Sequence, residues 1–174
     1  FREFTGNNPA FGISGGIVIV ESKFPLYQAA QMAEDAEHDA KHWRSQKDAI
    51  TFLDNAMDWT TFAAMMKNAN ELAEWRKANL VPASLLQTIM GLRAQMKQTQ
   101  TQAHRDHKPK SLYGRWMWMA AYQLTRAADA VKREYPQVKE RIKEIQSTFL
   151  EPGDVSEQWG RAARWAQYLS RGGE

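Results

Sequence analysis

Ser14-Gly15-Gly16 interrupts an apolar, β-branched run from Phe11 to Val20, and Lys41 closes the alanine-rich stretch that follows. These residue types can handle phosphates. A glycine inside a strand has no side chain to pack and loses much backbone freedom on folding, so it belongs where a ligand or another chain segment must come close. A lysine is a compact point charge that can reach phosphate oxygens. A strand, a turn, a helix and a terminal lysine, in that order, could set a backbone edge and an ammonium beside a nucleotide. For the glycines taken alone, a bulge or tight helix-on-strand packing is the simpler account. Lys41 would also offset the helix dipole at its C-terminal end. Spacing alone does not separate these readings.

The elements that would position these groups form two parts. In residues 1–57, Phe11 to Val20 predicts a strand covered on both faces. Pro25 suits the first turn of a helix in which Leu26, Ala29, Ala30, Ala33, Ala36 and Ala40 share a face, small enough to lie close to a sheet. Asp48 to Leu53 predicts a second, short strand. Three elements cannot close a core, and the chain begins with Phe1 in mid-pattern, so it reads as a fragment of a longer polypeptide. In residues 58–174 the pattern is all-helical. Asp58 can cap a helix carrying Trp59, Phe62, Met66, Ala69 and Ala73. Ser84 opens a second, with Leu85, Ile89, Leu92 and Met96 on one face. Gln98 to Lys110 reads as a frayed end and loop. Helices are predicted over 111–135, 137–150 and 155–170, separated by Pro136 and Pro152-Gly153. Val138, Ile142, Ile145 and Phe149 make one stripe; Val155, Trp159, Ala162, Ala166 and Leu169 make another. The fold class expected is α+β: a strand-helix-strand piece followed by a helical bundle.

With 174 residues the chain can bury a sizeable core. It has no cysteine, which excludes disulfides and thiol chemistry and suits a reducing compartment. No apolar run is long enough to span a bilayer. Residues 1–57 carry five Lys/Arg against eight Asp/Glu, a net −3; the remainder carries 18 against 12, a net +6. The basic part could face a polyanion.

That part supplies two further candidates. Arg115, Trp118, Tyr122, Arg126 and Arg133 fall on roughly one face of one predicted helix, and Arg161, Arg164, Trp165, Tyr168 and Arg171 on one face of the last. Arginines interleaved with aromatics can hold phosphates and stack on bases or on protein. The alternative places Trp116, Trp118 and Trp159 in the core and leaves the arginines solvated. His38-Asp39 sits on the acidic face of the first helix with no ligand cluster beside it, and His104, Asp106 and His107 fall in the predicted loop. No metal site is expected at either.

Five ordered segments carry a family resemblance: Phe1 to Pro9, Ile13 to Ile19, Lys23 to Ala30, Ala40-Lys41 and Lys47 to Phe52. Together they resemble the large signature subunit of type III CRISPR effector complexes, the "Cas ten" family, and the Ser-Gly-Gly form is similar to its Csm-type, subtype III-A version. The segment from Tyr113-Gly114-Arg115-Trp116 to Arg126 is more loosely similar to that subunit's C-terminal helical domain. The resemblance implies that residues 1–57 are the last part of a ferredoxin-like second palm domain, shared with nucleotide cyclases and polymerases, and that residues 58–174 are the helical domain. It implies a prokaryotic, cytoplasmic complex that makes cyclic oligoadenylates from ATP on binding target RNA, using Mg or Mn, often with a DNA-cleaving nuclease domain elsewhere in the subunit. Lys41 matches a phosphate-contacting lysine of related cyclases, and Ser14, Gly15 and Gly16 match the strand beside the nucleotide. The arginine stripes (Arg115, Trp118, Tyr122, Arg126, Arg161 and Arg164) would meet RNA or the small helical subunit. Implied partners also include the subunit that caps the crRNA end, the crRNA and the target RNA. The family's Gly-Gly-Asp-Asp metal hairpin is missing from this sequence, since Gly15-Gly16 leads into Ile17. No catalytic residue is therefore expected here, and the piece alone should be inactive. A hairpin bearing the carboxylates is expected upstream of Phe1.

Overall fold

The computed structural model describes residues 1, 3–8, 10–44, 47–105, 114–151 and 154–171. The chain divides into two compact units, Phe1–Ala64 and Met65–Glu174. The expected boundary at 57/58 falls just before helix α2 (Trp59–Lys77), and the units divide within that helix. Among the described residues the fold is mixed and mostly helical, with six helices and one three-stranded sheet. No helix among them is long and apolar enough to cross a membrane.

The first unit holds the sheet, in the order β1 (Gly15–Ile17), β2 (Ala49–Phe52), β3 (Ala56–Asp58). β1 and β2 run parallel, with Gly15 opposite Ile50 and Gly16 opposite Thr51. Helix α1 (Leu26–His42) makes the crossover between them. β1 is much shorter than the predicted Phe11–Val20 strand. It is an edge strand, and the apolar residues at both its ends, among them Phe11, Ile13, Ile19 and Val20, are exposed rather than covered. β2 is buried along its length, as its sequence suggests.

β3 had no sequence prediction. It pairs antiparallel with β2 through a two-residue loop, Leu53-Asp54, in which both residues have positive φ (49° and 56°). Phe52 and Asn55 flank the loop and exchange both backbone hydrogen bonds, at 3.0 and 3.2 Å. This is the left-handed geometry of a tight hairpin, formed without the glycine that usually signals it.

The Ala29, Ala33, Ala36, Ala40 row of α1 turns toward the sheet, but only Ala36 and Ala40 are buried, and Leu26 at the helix start is exposed. A sheet of three short strands covers only the C-terminal half of the helix. On the opposite face, Phe62 meets Phe52 edge-on and Trp59 meets Phe62 likewise. Asp58 caps α2: its Oδ1 accepts a 2.7 Å hydrogen bond from the Thr61 backbone N–H. That bond holds the carboxyl below its ordinary pKa, so the cap is intact at neutral pH and is lost as pH falls through the folded value.

The second unit is a bundle of α3 (Leu85–Arg105), α4 (Arg115–Asp129), α5 (Pro136–Leu150) and α6 (Asp154–Arg171), with the later turns of α2. α3 packs on α4 and α6, and α5 packs on the same two, so α4 and α6 lie diagonally across the bundle. The α3 and α5 stripes are buried as predicted. Three predictions are corrected. Gln98 to Arg105 is helix, not loop, while 106–113 fall outside the described residues, together with any site at Asp106 and His107. α4 ends at Asp129, leaving Arg133 in the turn that precedes Pro136. The α2 and α6 stripes are each exposed at one predicted position, Met66 and Val155, while Ala69 and Ala73 are buried as predicted and Met65 and Leu72 are buried with them.

A Cβ on Gly16 would stand 2.8 Å from the Ala33 carbonyl oxygen and from the Ala36 carbonyl carbon, and would also run into the Glu37 amide. A Cβ on Gly15 would meet only the far edge of the Trp59 ring, at 3.9 Å. Gly16→Ala should therefore destabilise the chain by about 1–3 kcal/mol, because backbone cannot yield as a side chain can. Gly15→Ala should cost little. Denaturant midpoints of the two variants check the contrast, and equal costs would refute it.

Candidate functional site

The Ser14-Gly15-Gly16 segment is held from three sides. The Ile13 backbone N–H donates to Asp48 Oδ1 at 3.2 Å, and the Ile13 carbonyl accepts from Trp59 Nε1 at 2.9 Å. α1 covers the third side at Gly16. The close approach that excludes a side chain at Gly16 is thus made by the chain's own helix. Gly15 lies on the opposite face, over Trp59, with room around its Cα. Ser14 Oγ is buried and makes no hydrogen bond, and the same is true of Thr51 Oγ1 on β2. Two orphaned hydroxyls on this sheet are unusual, since a buried polar group normally finds a partner.

Lys41 lies one turn beyond Glu37, whose amide sits over Gly16. Its neighbour Ala40 is fully buried, whereas the Lys41 side chain is half exposed and its ammonium is 2.6 Å from Glu37 Oε1. The ion pair is exposed enough to exchange readily for another anion. His38 stacks on His42, ring centroids 4.0 Å apart. Among the described residues no group of three or more His, Asp or Glu is placed to hold a metal ion. These residues therefore do not make a magnesium site, and no reaction step is assigned through one.

In the second unit, Arg115, Trp118, Tyr122 and Arg126 are all exposed on one face of α4, Trp118 at 81% and Tyr122 at 63%. The Arg126 guanidinium lies 5.6 Å from the Tyr122 ring centroid and donates to the Tyr122 hydroxyl at 3.2 Å. Beside it, Met117, Trp118, Ala121 and Leu150 line an apolar hollow of about 240 Å³. Trp116 and Trp159, in contrast, are core.

The α6 stripe divides. Arg164 is exposed, 5.2 Å from the Tyr168 ring and donating to its hydroxyl at 3.1 Å. Arg161 is largely covered and pairs with Glu157 at 3.3 Å, which also accepts from Arg93 of α3 at 3.0 Å. Burial lowers its guanidinium pKa, and the nearby Arg93 charge lowers it further. The Arg93 stem runs over Gly160, where a side chain on α6 would not fit. Because α4 and α6 are diagonal, their exposed stripes face opposite sides of the bundle, and no single groove joins them. Sequence spacing did not reveal the Arg93–Glu157–Arg161 cluster, whose members come together only through α3–α6 packing.

A parallel β-α-β unit with a glycine under its helix, followed along the chain by a helical bundle, is the class of chain these units define. Residues 1–51 match the family model for Cas10/Cmr2, second palm domain. No curated protein and no solved structure matches the chain.

Truncating Arg161 removes a covered ion pair, and Arg161→Ala should cost about 1–2 kcal/mol. Arg126→Ala removes an exposed side chain and should stay within about 0.5 kcal/mol of the parent. Urea midpoints of both variants test the division of the arginines into packing and free groups.

Proposed function

We propose that this chain is part of the large subunit of a type III CRISPR effector complex, subtype III-A, with residues 1–57 contributing to a ferredoxin-like palm domain. In this reading the whole subunit binds ATP and makes cyclic oligoadenylates when the complex recognises target RNA. The observation that carries it is the coincidence of the matched segment, residues 1–51, with the parallel β1-α1-β2 unit. Ser14, Gly15 and Gly16, at the start of β1, lie beside the nucleotide, with Gly16 serving to let α1 sit close, and Lys41 supplies the charge for the phosphates. Metal-holding carboxylates, and with them Mg or Mn chemistry, belong to other parts of the subunit, and this piece alone is inactive. The crRNA, the target RNA, the small helical subunit and the crRNA-end-capping subunit are the partners of that complex.

Lys41 must leave Glu37 to serve ATP. In the full-length subunit, Lys41→Ala should weaken ATP binding about ten- to a hundredfold, the range for one charge-assisted hydrogen bond. Glu37→Gln should leave it equal or tighter. Undiminished binding by the Lys41 variant in equilibrium titration would sink the assigned role.

A second reading, a non-enzymatic scaffold that binds RNA or a neighbouring subunit through the bundle, is favoured by Trp118, a large aromatic left in solvent beside an apolar hollow. Trp118→Ala with Arg126→Ala should reduce retention of the chain by the assembled complex without changing its melting temperature. Retention equal to that of the parent would remove α4 as the contact.

A further inference from the structure

One end of the second unit holds a cavity of about 690 Å³ that neither the palm reading nor the exposed stripes use. Three cations line it: Arg76 and Lys77 from the last turn of α2, and Arg171 from the last turn of α6. Gln87, Gln167 and Ser170 add hydrogen-bonding groups. No carboxylate lines it among the described residues, and none of the three cations is ion-paired there. This sets them apart from Arg93, Arg141 and Arg161, which all have glutamate partners.

Cations in the last turn of a helix ordinarily answer the partial negative charge of its terminus. That accounts for one cation per helix end. It does not account for three converging on one concave space. The first turn of the 21-residue helix α3 reaches the same wall through Leu86 and Gln87. Amides of a first helical turn have no partner in their own helix, and they carry partial positive charge. Concentrated positive charge without a counter-ion, in a volume within the range of small-molecule sites, needs an anion of matching size.

We propose that this cavity is a binding site for a small phosphate ester of nucleotide size. Arg76, Lys77 and Arg171 hold the phosphates, and the two glutamine amides and Ser170 meet the sugar or the heterocycle. Arg76 and Arg171 are the principal determinants, since a guanidinium can engage phosphate oxygens with two parallel donors.

The test is calorimetric titration of the chain at low salt with four probes: inorganic pyrophosphate, adenosine diphosphate, adenosine and a single-stranded oligonucleotide. Saturable one-to-one binding of the diphosphate is expected, with no binding of adenosine. Binding of pyrophosphate as tight as that of the diphosphate would overturn the contacts assigned to the two glutamines and Ser170. The double variant Arg76→Gln/Arg171→Gln should weaken phosphate binding at least tenfold while keeping its helical circular dichroism, because neither side chain is core. Lys97→Gln, at an exposed lysine of α3 outside the cavity, should leave this binding unchanged. Phosphate binding that survives the double variant, or absence of binding of both phosphate probes at millimolar concentration, would overturn the proposal. So would binding confined to single-stranded oligonucleotides, since that would make the cavity part of a polymer track.

Discussion

The contact between α1 and Gly16 governs the first unit. A parallel β1-β2 pair can close only if the chain between the strands crosses back over the sheet, and here it does so as a 17-residue helix. That helix comes so near β1 that the Ala33, Ala36 and Glu37 backbone occupies the place of a side chain on residue 16. The alanine row makes the approach possible from the helix side, and the glycine makes it possible from the strand side. Lys41 takes its position from the same contact, because it follows Ala40, which the sheet buries completely.

A second principle shapes the bundle: charge that stays near the core is paired, and charge left over is displayed. Arg141 of α5 reaches Glu71 at 3.2 Å, Asn68 at 3.2 Å and Glu144 at 2.6 Å, and its guanidinium lies 5.1 Å from the Trp159 ring. Arg93 and Arg161 share Glu157. These arginines join α2, α5 and α6, or α3 and α6. The net positive charge of the second part is carried outward by the others, along α4, on α6 and around the cavity at the ends of α2 and α6. Packing thus converts a moderate overall charge into local positive surfaces.

Much of this was legible from residue type. The buried α3 and α5 stripes, the Asp58 cap and the pairing of two strands around an alanine-rich helix follow from periodicity and from local hydrogen-bonding rules. The β2-β3 hairpin escaped because Leu53-Asp54 adopts positive φ without glycine or asparagine, and no local signal marks it. The length of β1 escaped for a different reason. Strand propensity from Phe11 to Val20 is real, but a ladder extends only where a partner strand offers hydrogen bonds, and β2 is four residues long.

Residue types and spacings by themselves determined that the chain has no thiol chemistry, that it has a strand-helix-strand piece whose helix carries a lysine at its end, and that an all-helical basic part follows. They also determined which residues could act on phosphates, because charge and the absence of a side chain are properties of single residues. Tertiary structure alone decided which of two adjacent glycines admits the helix, which arginines of one stripe are consumed in ion pairs, and that Arg76, Lys77 and Arg171 meet around one cavity. Those outcomes depend on how close distant segments come, and separation along a chain carries no direct record of separation in space.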